Sequence, residues 1–141
     1  MKALEWLAGR PGTKHLVSGN HDGVHPMHHD SHKKFGPYLE VFASVQQSAR
    51  RKLAGYEVLL SHFPFLGSED AFDTYNRFEQ WRLPQMGSWL LHGHTHSRVR
   101  SHGRSIHVGV DAWDLKPVSV NAIAAIVMEF ERRQTSYVDD S

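Results

Sequence analysis

Three short apolar runs in this chain each end in a polar, histidine-bearing cluster. Leu16-Val17-Ser18 leads into Gly19-Asn20-His21-Asp22, Val58-Leu59-Leu60 into Ser61-His62-Phe63-Pro64, and Trp89-Leu90-Leu91 into His92-Gly93-His94-Thr95-His96. An apolar run this short, closed by glycine or proline, reads as a buried strand rather than a helix. Polar clusters at the carboxyl ends of strands stand where open α/β sheets bind ligands. The pattern predicts an α/β fold or mixed sandwich whose three loops converge on one point.

The rest of the chain is read around these strands. Residues 1–8 put Leu4, Leu7 and Ala8 on one helical face, and Gly9-Arg10-Pro11-Gly12 ends that helix. Residues 15–18 form the first strand, and residues 21–37, rich in histidine and bounded by Pro26 and Gly36-Pro37, form a loop. A helical turn is expected at 38–42. Strands follow at 44–51 and 56–61, around Lys52 to Gly55, the second more secure because the first is polar. From Phe63 to Gly87 an aromatic-rich excursion carries Phe65, Phe72, Tyr75, Phe78 and Trp81 and is read as core or lid packing. A strand is expected near Arg104 to Val110. Ser119 caps a helix over about 120–133 with Ile123, Ile126, Val127 and Phe130 buried, and residues 134–141 fray.

At 141 residues and 40% hydrophobic content the chain fits a single domain, 1–141. A net charge of +1 gives no broad field to recruit nucleic acid or anionic membrane. No apolar run approaches the length of a membrane span, and the first residues make no secretory signal, so the reading is a soluble cytoplasmic protein without a membrane partner. There is no cysteine, so a transition metal must be held by imidazole, carboxylate or amide oxygen. The twelve histidines make imidazole the obvious donor.

"GNHD", "SHFP" and "GHTH", in that order, resemble the third, fourth and fifth motifs of the calcineurin-like metallophosphoesterases, and "GRSIHVGVDAWDLKPVS" at 103–119 resembles a prokaryotic and phage subgroup of that family. The resemblance implies mixed β-sheets flanked by helices, and hydrolysis of phosphomonoesters or phosphodiesters by hydroxide shared between two divalent ions, with Mn expected and Fe, Zn or Ni as alternatives. It implies that Asn20, His62 and His94 ligate the second metal and that His96 contributes to the first. His21 would sit beside the scissile phosphate, stabilising its charge and protonating the leaving oxygen, and Asp22 would orient His21. Cyclic nucleotides, nucleic-acid ends, phosphoproteins and small phosphodiesters all suit these motifs as substrates.

The Asp-x-His and Gly-Asp strand ends of the family pattern do not occur ahead of Asn20. Three readings stand side by side: a carboxyl portion of a longer enzyme, a one-metal protein in which Asp30, His28, His29 or His32 substitutes, and a binding or interaction module without catalysis. Apolar sheet surface left bare by missing strands predicts marginal stability or self-association. The histidines at 25, 28, 29 and 32 follow no established ligand spacing and are read as solvated loop residues. His92 is read as a packed strand histidine. Asp111, Trp113 and Asp114 are read as bracing a loop under the site.

Overall fold

The computed structural model describes residues 2–68 and 77–139. Phe72 and Tyr75 of the aromatic excursion lie outside the described residues. Among those described, no helix is long and apolar enough to cross a membrane. The chain divides into two compact units, Met1–Ala49 and Arg50–Ser141.

In the first unit helix α1 (Lys2–Ala8) ends where expected, with Gly12 at φ +90° turning the chain. Strand β1 (His15–Val17) runs on to the loop, helix α2 (Phe35–Leu39) follows, and strand β2 (Ser44–Gln46) pairs with β1 in parallel, Leu16 facing Val45. The Ser18 N–H donates to the Gln46 carbonyl at 2.8 Å, so the ladder reaches the edge of the Gly19-Asn20-His21-Asp22 cluster. α2 starts three residues earlier than the expected turn at 38–42. Pro37 falls in its first helical turn, where a missing N–H leaves no intrahelical bond unmade.

The segment after Asn20 is an ordered staircase. N–H groups of Asp22, His25, His28, Ser31 and Lys34 donate to the carbonyls of Gly19, Asp22, His25, His28 and Ser31, each at 2.9–3.0 Å. Each bond spans three residues, as in a 3₁₀-helix, which stacks every third residue along one edge. His25 is thereby buried to 1% exposure, and the His28 ring bonds the Asn20 carbonyl at 3.0 Å. The solvated-loop reading fails for His25, which is packed inside the unit, while His28 is half-buried and tied to the Asn20 carbonyl.

The second unit carries a five-stranded mixed sheet in the order β3-β4-β5-β7-β6. Its strands are β3 (Ser48–Leu53), β4 (Tyr56–Ser61), β5 (Trp89–His92), β6 (Ser101–His102) and β7 (Ser105–His107). β3 and β4 are joined by Ala54-Gly55, both at positive φ (51° and 87°), as a two-residue hairpin turn requires. The expected strand at 44–51 is in fact two strands, β2 pairing with β1 and β3 with β4. β4, β5 and β7 are parallel neighbours, and β6 closes the edge antiparallel to β7.

Helix α3 (Val120–Asp139) supplies the second layer of this unit. Val58, Trp89 and Ile106 of the sheet pack with Ile123 and Val127 of α3, all at 5% exposure or less. Apolar area removed from water at this seam, roughly 25 cal/mol per Å², fixes the helix on the sheet. The Ser119 hydroxyl accepts the Ala122 N–H at 3.1 Å, the expected N-cap. The helix does not fray at 134 as expected. Glu129 pairs with both Arg132 and Arg133, and the Thr135 and Ser136 hydroxyls donate back to carbonyls one turn earlier. The two guanidinium groups hold the Glu129 carboxyl down at a pKa of about 2.

Candidate functional site

Because β4 and β5 are adjacent and parallel, with Leu60 opposite Leu91, their carboxyl ends emerge side by side. His62 follows the first and His94 the second. The Gly93 N–H donates to the His62 carbonyl at 3.0 Å, tying the two loops together. The imidazoles of His62 and His94 stand with centroids 5.2 Å apart, inclined at 68°. A nitrogen about 2.0–2.1 Å from an ion places its ring centre roughly 3.2 Å from it, so two rings on one tetrahedral ion stand about 5 Å apart. The pair therefore has the spacing and donor chemistry to share a divalent cation.

Aromatic rings hold these imidazoles in place. Phe63, 1% exposed, meets His62 edge-on at 5.0 Å and His94 at 4.9 Å, and Phe78 stacks on Phe63 and meets His94 at 5.4 Å. Phe78 is where the aromatic excursion becomes part of the site. Its own φ is +65°, a conformation with no signature in the residue type.

The Gly93-His94-Thr95-His96 turn departs from the extended backbone that would project both histidines to one side. His94 and His96 have φ of +67° and +51°. Gly93 is not the left-handed residue, and a Cβ there would meet His62 at an ordinary 3.9 Å. Left-handed non-glycine residues store of order 1–3 kcal/mol each and concentrate at functional sites. His94 is directed at His62, whereas His96 is exposed and sits 3.4 Å from the Asp111 carboxylate.

β7 places His107 beside His92 in register, rings 5.5 Å apart. Both are buried, His92 to 8% and His107 to 3%, in keeping with the reading of His92 as a packed strand residue. Burial pushes both below the ordinary histidine pKa. The His92 Nδ1–H donates to the Gly93 carbonyl at 2.9 Å, bracing the turn from behind. Of the three residues expected to brace the loop after β7, Trp113 does so. The Trp113 indole N–H donates to the His107 carbonyl at 2.8 Å, and the Arg100 guanidinium lies 4.2 Å over Trp113 while its Nε donates to the Ala112 carbonyl.

Asn20, His21 and Asp22 belong to the first unit. Asp22 Oδ2 accepts the Gly19 N–H at 2.8 Å, so this carboxylate closes the turn that presents His21. His21 is exposed, and with Asp22 it lines a cavity of about 520 Å³. Lys33 and Lys34 share that rim, and Leu4, Leu7, Leu16, Tyr38 and Phe42 form its apolar wall. The lysines had no motif to announce them. Among the described residues, no three His, Asp or Glu side chains stand together as a ready metal cage.

No family model matches the chain. It is 48% identical over 122 residues to the gene 66 protein of Mycobacterium phage L5, covering 79% of this chain and 58% of that protein. It is 45% identical over 128 residues to the gene 66 protein of Mycobacterium phage D29, covering 84% of this chain and 63% of that protein. The chain thus spans about three-fifths of the length of these relatives. The crystal structure of AQ665, a protein of unknown function from Aquifex aeolicus, matches 89% of this chain and 67% of its own with a TM-score of 0.59 and 25% identity. The chain is homologous to the gene 66 proteins of these mycobacteriophages, and its mixed α/β architecture resembles that of AQ665.

Proposed function

We propose that this chain carries the metal-binding and phosphate-facing part of a metal-dependent phosphoester hydrolase of the calcineurin-like kind. The observation that carries the proposal is the His62–His94 pair at the carboxyl ends of two adjacent parallel strands, with His94 in a strained left-handed backbone. His62 and His94 would hold one divalent ion, and His96 would contribute to a second. Nitrogen and oxygen donors of this kind suit Mn, Fe, Zn or Ni. When bound, such ions supply a water nucleophile at neutral pH and neutralise charge on the phosphoryl oxygens. His21, exposed on a turn that Asp22 closes, would donate the proton to the leaving oxygen, a contribution of roughly 10²- to 10⁴-fold.

A second reading is a metal-binding or interaction module without turnover. It is favoured by the finding that, among the described residues, no three His, Asp or Glu side chains are grouped to hold a metal ion. Hydrolysis of bis(p-nitrophenyl) phosphate with added Mn²⁺ separates the two. Turnover abolished by His21→Ala supports the hydrolase, and the absence of turnover with every divalent metal leaves the binding module.

A further inference from the structure

The cavity beside His21 is polar at one side of its rim and apolar on its wall. Lys33 and Lys34 line it with one carboxylate, Asp22, whose Oδ2 is already engaged by the Gly19 N–H. The position of Lys34 is set by the backbone. A Cβ on Gly23 would lie 2.9 Å from Lys34 Cδ and 3.9 Å from its Nζ, so the lysine stem lies flat across the one residue after Asp22 that lacks a side chain. The ammonium is further steadied by Asp30 at 3.1 Å. Both partners are substantially exposed, and a pair of that kind contributes little, so a phosphate can share the ammonium with Asp30.

The wall is suited to a ring. Tyr38 and Phe42 stack at 6.4 Å with planes 25° apart, and Leu4, Leu7 and Leu16 complete an apolar surface next to the cationic rim. Flat aromatic faces beside positively charged donors match a molecule that is planar at one end and anionic at the other.

We propose that this cavity is a substrate subsite in which Lys34, with Lys33, holds the phosphate of an ester bearing an aromatic ring, a nucleobase or an aryl group, while the ring lies against Tyr38 and Leu7. This deepens the hydrolase reading, since His21 stands on the same rim, and it gives that reaction a substrate class. Lys34 is assigned a binding role.

The test is direct binding in chelator, with no turnover required, so its failure is distinct from the failure of hydrolysis. Phenyl phosphate, thymidine 5′-monophosphate and inorganic phosphate are titrated into the full chain and followed by calorimetry and amide NMR shifts. At least one ring-bearing probe should bind about tenfold more tightly than inorganic phosphate, with shifts at residues 19–23 and 33–38. Lys34→Ala should weaken that probe about tenfold, and Lys34→Arg should restore most of the affinity. Gly23→Ala, which displaces the lysine stem but keeps its charge, should weaken it as well. Equal affinity for ring-bearing and inorganic phosphate, shifts confined to other residues, or a Lys34→Ala chain that binds like the wild type would overturn the proposal.

Discussion

The Gly93 amide donates to the His62 carbonyl at 3.0 Å, so the backbone after β5 is bonded to the backbone after β4 just where the two imidazoles meet. The closeness of His62 and His94 is therefore a property of the parallel ladder and of this bond. It does not depend on an ion to draw the loops together. Gly93→Ala should accordingly fold normally and keep the pair, because the added Cβ finds only ordinary contacts and the residue is not left-handed. Thermal unfolding within a few degrees of the wild type is the expected result; loss of the fold would mean that glycine is required there for another reason.

His96→Gly should raise stability. The side chain is exposed, its contact with Asp111 is a surface pair of little worth, and the left-handed backbone it occupies is natural to glycine. A gain of roughly 1 kcal/mol is expected in urea unfolding of the metal-free protein. A loss of stability would show that the Asp111 contact outweighs the strain.

Glu131 joins α3 to the sheet through three bonds. It accepts from Arg104 Nε and Nη2 at 2.8 and 3.0 Å and from the Trp89 indole N–H at 2.9 Å. The guanidinium holds the Glu131 carboxyl below the usual range. Glu131→Ala should destabilise the chain by about 2–3 kcal/mol, because it leaves a partly buried guanidinium and a buried indole N–H without their acceptor. A change within a few tenths would mean that water replaces the carboxylate.

His25, His92 and His107 are all pushed below the ordinary histidine pKa, first of all by burial. Each takes up a proton more readily when unfolded. Their neutral burial contributes fully above the unfolded value, near 6.5, and that contribution is lost as pH falls from there toward the folded values. Unfolding free energy measured in chelator should drop from pH 7.5 to pH 5.5, and His107→Asn should flatten the slope. A stability independent of pH across this window would contradict the burial of these rings as neutral groups.

The parts legible in the sequence were those with a local signature. Strand ends came from apolar runs meeting polar clusters, and the Ser119 cap and the Ile123 and Val127 face came from residue type and spacing. The His62–His94 encounter followed once β4 and β5 were placed in parallel, since equivalent strand ends lie side by side. What was not legible depended on partners distant in sequence or on backbone state. Nothing in Gly-His-Thr-His marks the histidines rather than the glycine as left-handed. The burial of His25 comes from a three-residue hydrogen-bond period within a segment that composition assigns to solvent. Lys34 reached the rim of His21 only through the space above Gly23. The last turns of α3 persist because side chains pair along the helix where the apolar period has already ended.

Metal titration of His62 and His94 variants reaches the central claim most directly. Mn²⁺ or Zn²⁺ binding to the full chain is followed by calorimetry for the wild type, His62→Ala, His94→Ala, the double variant, and His102→Ala, at an exposed position on β6, as a control. Shared coordination predicts that each single change weakens binding by at least about tenfold, that the double variant loses little more than either single one, and that His102→Ala leaves binding unchanged. Binding by either single variant with wild-type affinity would contradict a cation held between these two rings.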